Sequence, residues 1–177
     1  MIEVQNLKKS FGETLVWDNV SFTIEEGETL AIIGRSGSGK SVLLKHFNAL
    51  LYPDSGNVLL NGKCVFDMGY AELRKIRQNF GILFQGSALF DSINTFENIA
   101  FPLRYFTKLT EAEIAHSVEE ALDMVNLSGS GDKLTSELSG GMRKRVGLAR
   151  AIILKPDYLL YDEPTSGLDP QTSEEIN

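Results

Sequence analysis

TLAIIGRSGSGKS, residues 29–41, is the stretch that decides the fold of this chain. Thr29 to Ile33 is a short apolar run stopped by Gly34, which reads as a buried strand. Gly34-Arg35-Ser36-Gly37-Ser38-Gly39-Lys40-Ser41 fits G-x-x-x-x-G-K-[ST] without a mismatch, and Val42 to Leu51 reads as the helix that follows. Glycines at this spacing let the backbone wrap closely, so successive N–H groups turn inward on phosphate oxygens. The start of the helix adds a partial positive charge, Lys40 reaches the β and γ phosphates, and the Ser41 hydroxyl can ligate Mg²⁺. Strand, glycine loop and helix in this order predict an α/β fold that cradles a nucleotide.

Downstream, Tyr158-Leu159-Leu160-Tyr161 reads as a buried strand running into Asp162-Glu163. That strand delivers Asp162 to hold Mg²⁺, and Glu163, one residue on, can polarise an attacking water as general base. Gly81 to Phe84 is another short buried strand, and Gln85 at its end can sense Mg²⁺ or that water. Leu138-Ser139-Gly140-Gly141-Met142 opens a helix expected from about Ser139 to Leu154, with Met142, Val146, Ala149 and Ile153 on one face. A hydroxyl and bare N–H groups at a helix start make a second anion site. Two copies placed head to tail would sandwich nucleotide between the glycine loop of one and Ser139, Gly140 and Gly141 of the other. Between these motifs, Leu89, Phe90, Ile93 and Phe96 are either a docking face for a partner helix or packing between subdomains.

The remaining sequence frames this core. Met1 to Leu7 and Val20 to Ile24 read as half-buried strands, and Asn57 to Asp67 as a hairpin about Asn61-Gly62. Thr110 to Leu127 is the clearest helix, with Ile114, Val118, Ala121, Leu122 and Val125 on one face and a Thr110–Glu113 capping box. The 177 residues suit one domain. A formal charge of −7 disfavours nucleic acid as a partner, and the single Cys64 excludes an internal disulfide framework or a cysteine-based metal site. No apolar run approaches the ~20 residues of a membrane-spanning helix. No signal peptide is visible, so a soluble, cytoplasmic domain is expected.

Together these residues resemble the ATPase subunits of ABC transporters, over essentially the whole chain. GRSGSGKS (34–41) is similar to the Walker A loop, Gln85 to the Q-loop and LSGGM (138–142) to the signature motif. YLLYDEP (158–164) resembles Walker B and Ser166-Gly167-Leu168-Asp169 the D-loop. The resemblance implies a P-loop NTPase core with an N-terminal antiparallel β subdomain and an α-helical insert subdomain. It divides the chain into a nucleotide-binding core and β subdomain (1–86), a helical subdomain with the signature (87–154) and a return to the core (155–177). ATP and Mg²⁺ are the implied cofactors. Phe11 would stack on adenine, and Gly34, Arg35, Ser36, Gly37, Ser38, Gly39, Lys40, Ser41 and Val42 would hold the nucleotide, with Ser139, Gly140 and Gly141 acting in trans. Glu163, Gln85 and Lys40 are the implied catalytic set, and Ser41, Gln85 and Asp162 the Mg²⁺ ligands.

FGILFQGSALFDS (80–92), NIAFPLR (98–104) and the methionine of LSGGM resemble the branch serving Mce- and Mla-type lipid transporters. That branch implies a second copy of the chain, an integral membrane permease docking near residues 85–105, an Mce-domain lipid-binding protein, and a peripheral location on the cytoplasmic face of the inner membrane. The family also places a histidine switch, on a central strand of the sheet, beyond Asn177. His46 and His116 are read as surface or packing residues rather than substitutes, so the chain is expected to be a fragment with an open slot in its sheet. The rival readings are a soluble ABC ATPase without a permease and a nucleotide-binding scaffold without turnover.

Overall fold

Alternating apolar residues build the first sheet. β1 (Ile2–Phe11) runs antiparallel to β2 (Thr14–Ile24) on one side and to β3 (Ser55–Leu60) on the other, with β4 (Lys63–Cys64) at the edge, giving the order β2-β1-β3-β4. Ile2 pairs with Leu60 and Val4 with Val58, and all four side chains are buried. The hairpin about Asn61-Gly62 forms as expected: both residues take positive φ, 48° and 81°, the backbone that a two-residue hairpin turn requires. It closes earlier than Asp67, because fully buried Val65 leaves the ladder in a 3₁₀ turn and enters the core. The computed structural model describes residues 1–164, and its chain divides into two compact units, Met1–Arg77 and Gln78–Asn177.

In the first unit, α1 (Lys40–Phe47) buries Leu43, His46 and Phe47, and the Phe47 ring meets Phe22 edge-on at 6.3 Å. The helix stops short of Leu51 because Ala49 turns to φ 52°. The Arg77 side chain then caps the freed carbonyls, donating to Asn48 O at 3.0 Å and Ala49 O at 2.8 Å. α2 (Tyr70–Gln78), not anticipated from the sequence, carries that arginine. Thr29–Ile33 departs from expectation more sharply. It is not a strand, and Ile33 is 94% exposed. None of the described strands pairs with it, and an extended run without ladder hydrogen bonds gains nothing for the backbone freedom it would lose.

The second unit is built on a parallel pair, β5 (Phe80–Leu83) and β6 (Tyr158–Tyr161), joined in register from Phe80↔Tyr158 to Leu83↔Tyr161. Parallel strands need a long crossover. Here it contains α3 (Thr95–Phe106), α4 (Glu111–Met124) and α5 (Gly140–Ile152). Ile99, Leu103, Ile114, Val118, Ala121, Leu122, Val146 and Ala149 form one buried cluster from these helices. The capping box holds α4, with the Glu113 carboxylate accepting from the Thr110 N–H at 2.7 Å. The end of α5 lies directly against β5: a Cβ on Gly81 would meet Ala151 O at 2.5 Å and Leu159 Cδ2 at 2.7 Å, so only glycine fits. β6 is less buried than its apolar sequence suggests. Only Leu160 faces the interior fully, and among the described residues β6 has a partner on one side alone.

Candidate active site

The glycine loop, in the first unit, wraps on its own lysine. Gly37 and Gly39 take φ 78° and 93°, and Ser38 N–H donates to Arg35 O at 3.1 Å. Lys40, first residue of α1, folds its Nζ back to Gly34 O at 3.1 Å and Arg35 O at 3.2 Å. Gly39, the N-cap of α1, supplies no side-chain cap, so the loop enters the helix through backbone alone. Ser41 and Val42 follow in the first turn, half-buried. β2 supports the loop from behind: Trp17 Nε1 donates to Gly39 O at 3.2 Å. A Cβ on Gly39 would lie 2.4 Å from Val16 Cγ1. Phe11, at the end of β1, is about half exposed, with Lys9 Nζ 5.4 Å from its ring centre.

The second unit gathers the remaining polar residues at the C-terminal ends of β5 and β6. Asp162 N–H donates to Leu83 O at 2.9 Å, extending the ladder one step past β6. Glu163 then turns into the left-handed region at φ 50°, a backbone costing about 1 kcal/mol or more for a residue with a side chain. Its Oε2 accepts from Gln85 Nε2 at 2.8 Å. The structure thus joins Gln85 and Glu163 directly. Ser139 is the N-cap of α5, its hydroxyl accepting from Met142 N–H at 3.2 Å, with Gly140 and Gly141 in the first turn. The four residues Ser166 to Asp169 lie outside the described residues.

Two cations missed by sequence reading lie on the inner side of α5. Lys144 is buried at 6% exposure, and its Nζ lies 3.5 Å from Glu163 O. Burial pushes its pKa down from the ordinary lysine value, and the nearby Glu163 charge opposes that shift. Arg150 donates from Nη2 to Ser87 O at 2.8 Å, and burial lowers its pKa as well. Helical spacing held the available signal: Gly141, Lys144 and Gly147, three apart, form a buried stripe.

The apolar residues after Gln85 differ in burial. Leu89 and Phe96 pack against the helical cluster. Phe90 is instead exposed, with its ring centre 5.1 Å from that of Phe101. Tyr105 stacks on Phe101 and meets Phe106 edge-on, which leaves an exposed aromatic row along α3. His46 is fully buried and His116 pairs with Glu120 at the surface.

In the first unit the Ser41 hydroxyl, and in the second the Gln85 amide oxygen and the Asp162 carboxylate, are hard oxygen donors of the kind that Mg²⁺ takes. Among the described residues no group of three or more His, Cys, Asp or Glu side chains could hold a metal ion. No helix among the described residues is long and apolar enough to cross a membrane.

The comparisons with known proteins converge. Over 169 residues the chain is 50% identical to the probable ribonucleotide transport ATP-binding protein mkl of Mycobacterium tuberculosis, covering 96% of this chain and 47% of that protein. It is 43% identical to the intermembrane phospholipid transport system ATP-binding protein MlaF of Haemophilus influenzae, covering 96% of this chain and 64% of that one. The chain therefore spans about half the length of the curated relatives it matches first. Among solved structures, the dimeric post-hydrolysis state of the ATP-binding cassette MJ0796 bound to ADP and Pi superposes with a TM-score of 0.91 at 34% identity, covering 99% of this chain and 79% of that one. The sequence model described as ABC transporter matches residues 17–166, and with the cassette fold beneath it, this chain belongs to the ABC transporter family.

Proposed function

We propose that this chain is the ATP-binding and hydrolysing part of an ABC transporter subunit. The observation that carries the reading is the Gln85–Glu163 hydrogen bond at 2.8 Å, which supports a general base set beside a glutamine. ATP enters with its phosphates on the N–H groups of residues 34–41 and its adenine against Phe11. Lys40 exchanges the Gly34 and Arg35 carbonyls for the β and γ phosphate oxygens. Ser41, Gln85 and Asp162 are the residues that would hold Mg²⁺, and its charge would offset that developing on the transferred phosphoryl group. Glu163 takes the proton of the attacking water. Ser139, Gly140 and Gly141 of a second copy close on the γ phosphate, so hydrolysis belongs to a head-to-tail dimer; the dimeric MJ0796 structure supports this arrangement.

The partner is an integral membrane permease, docking along residues 85–105, and the exposed Phe90, Phe101 and Tyr105 support that placement. The cargo is a phospholipid or similar lipid, with an Mce-domain protein as a further partner and the subunit peripheral on the inner membrane's cytoplasmic face. The MlaF relative supports this assignment, while the name of mkl points to ribonucleotides instead. Glu163→Gln in the intact protein tests the catalytic reading. ATP binding should persist while turnover falls about 100-fold or more and the closed dimer accumulates; wild-type turnover would refute the assignment. Reconstitution with the permease distinguishes the cargo, because ATP turnover stimulated by phospholipid and not by ribonucleotide is the expected result.

A further inference from the structure

We propose that Lys144 is a positioning residue for hydrolysis: from α5 it holds the Glu163 backbone in the conformation that aims the carboxylate at Gln85. The inference rests on the function proposed above. Glu163 stands at φ 50°, where a residue with a side chain stays only if its surroundings hold it. The ladder bond from Asp162 N–H to Leu83 O fixes the residue before it, and Gln85 engages its side chain. Between these two points, the peptide carbonyl of Glu163 faces Lys144 Nζ at 3.5 Å. A lysine at 6% exposure has given up most of its water, so the carbonyl and the nearby Glu163 charge compensate its burial.

The same side of α5 also holds the other member of the pair. Ser87 and Ala88, just past Gln85, take φ 62° and 49°. Gly147 leaves the space beside them, since a Cβ there would lie 3.2 Å from Ser87 Cβ. Arg150 then pins the turn through Ser87 O at 2.8 Å. Lys144, Gly147 and Arg150, three residues apart, therefore brace the Gln85 turn and the Glu163 backbone from one helix. That helix begins at Ser139, so the element offered to the second copy's nucleotide also sets the base of its own chain.

The test compares Lys144→Met, which keeps the stem and removes the charge, with Lys144→Arg in the intact protein. Lys144→Met should lower kcat about 10- to 100-fold with ATP affinity and melting temperature little changed, and Lys144→Arg should recover most of the loss. In a Glu163→Gln background, Lys144→Met should add no further loss, because both changes act through one group. Should Lys144→Met not fold, Lys144→Gln carries the same comparison. Wild-type kcat in the uncharged variant, or a loss that only tracks the folded fraction, overturns the inference and leaves the ATPase reading intact. Absence of turnover in the wild-type protein overturns both.

Discussion

Asn98→Asp is the change whose consequences follow most fully from the geometry. Asn98 is fully buried on α3, and its Nδ2 faces the carbonyls of Phe90, Ile93 and Asn94 at 3.0, 3.3 and 3.0 Å. Its Oδ1 accepts from Phe90 N–H at 2.8 Å and from Arg150 Nη1 at 3.5 Å. Aspartate keeps the shape and the acceptor but turns an anionic oxygen onto three carbonyls. Losing the donor costs about 1 kcal/mol per hydrogen bond, and the stranded carbonyls add to that. The new carboxyl can recover a donor by holding a proton. From an ordinary pKa of about 3.9 that costs roughly 1.4 kcal/mol per pH unit, or about 4 kcal/mol at pH 7. Arg150 favours the charged form and offsets part of this, which leaves an expected destabilisation of about 2–3 kcal/mol near neutrality. The sign with pH follows from the raised pKa in the folded state. The unfolded chain releases the proton first as pH rises, so the penalty grows with pH above the ordinary carboxylate value and shrinks toward it. Urea denaturation of the intact wild-type and variant proteins at pH 5 and pH 7.5 measures both quantities. A penalty below about 1 kcal/mol at the higher pH, or one identical at both, would refute the argument.

Gly39→Ala forces a Cβ into Val16 at 2.4 Å and a side chain onto φ 93°, so the Trp17–Gly39 hydrogen bond should break and nucleotide affinity fall at least tenfold. Trp17 is the one tryptophan, and its fluorescence on titration with ATP reports the loss; unchanged affinity would contradict the loop geometry. Ser139→Arg removes a cap worth about 1 kcal/mol and fills the α5 start, so ATP-dependent dimerisation by light scattering should vanish while monomer ATP binding persists. His46 donates from Nδ1 to Val42 O at 2.7 Å, while its Nε2 is buried without a partner among the described residues. Burial lowers its pKa, opposed first by the Val42 hydrogen bond and less by Asp54, with Lys9 adding to the shift, so its neutral form stabilises the fold above the ordinary histidine value. That contribution should fade as pH falls through about 6.5, and the pH slope of the melting temperature should flatten in His46→Gln.

The sequence was most legible where local chemistry and burial agree. Thr110 with Glu113, Ser139 before α5 and Asn61-Gly62 each name a backbone conformation by themselves, and all three formed. α2 escaped notice because it is short, buries only Leu73 and is made mostly of polar residues. α3 was hidden for the opposite reason. Pro102 lies inside it, and exposed Phe101 and Tyr105 sit opposite Ile99 and Leu103, so apolar residues go round the helix. TLAII misled because an apolar run predicts a strand only where a partner strand lies beside it. Gln85 and Glu163 were readable from strand ends, but Lys144 was not. A lysine in a run of basic residues reads as solvent-facing until the packing of α5 shows otherwise.

The parallel pairing of β5 with β6 works as a ruler for this protein's history. Every paired residue differs by the same 78 positions, and so do Gln85 and Glu163. Inserting residues into the loops of the crossover changes that sequence interval but not the distance in space. Insertion within either strand would shift one side chain against the other by about 3.3 Å, more than a hydrogen bond tolerates. Outside the stretches tied down by Arg150 at Ser87 and by Asn98 at Phe90 and Ile93, the crossover is therefore free to lengthen or diverge, whereas the few residues at the two strand ends must vary together or not at all.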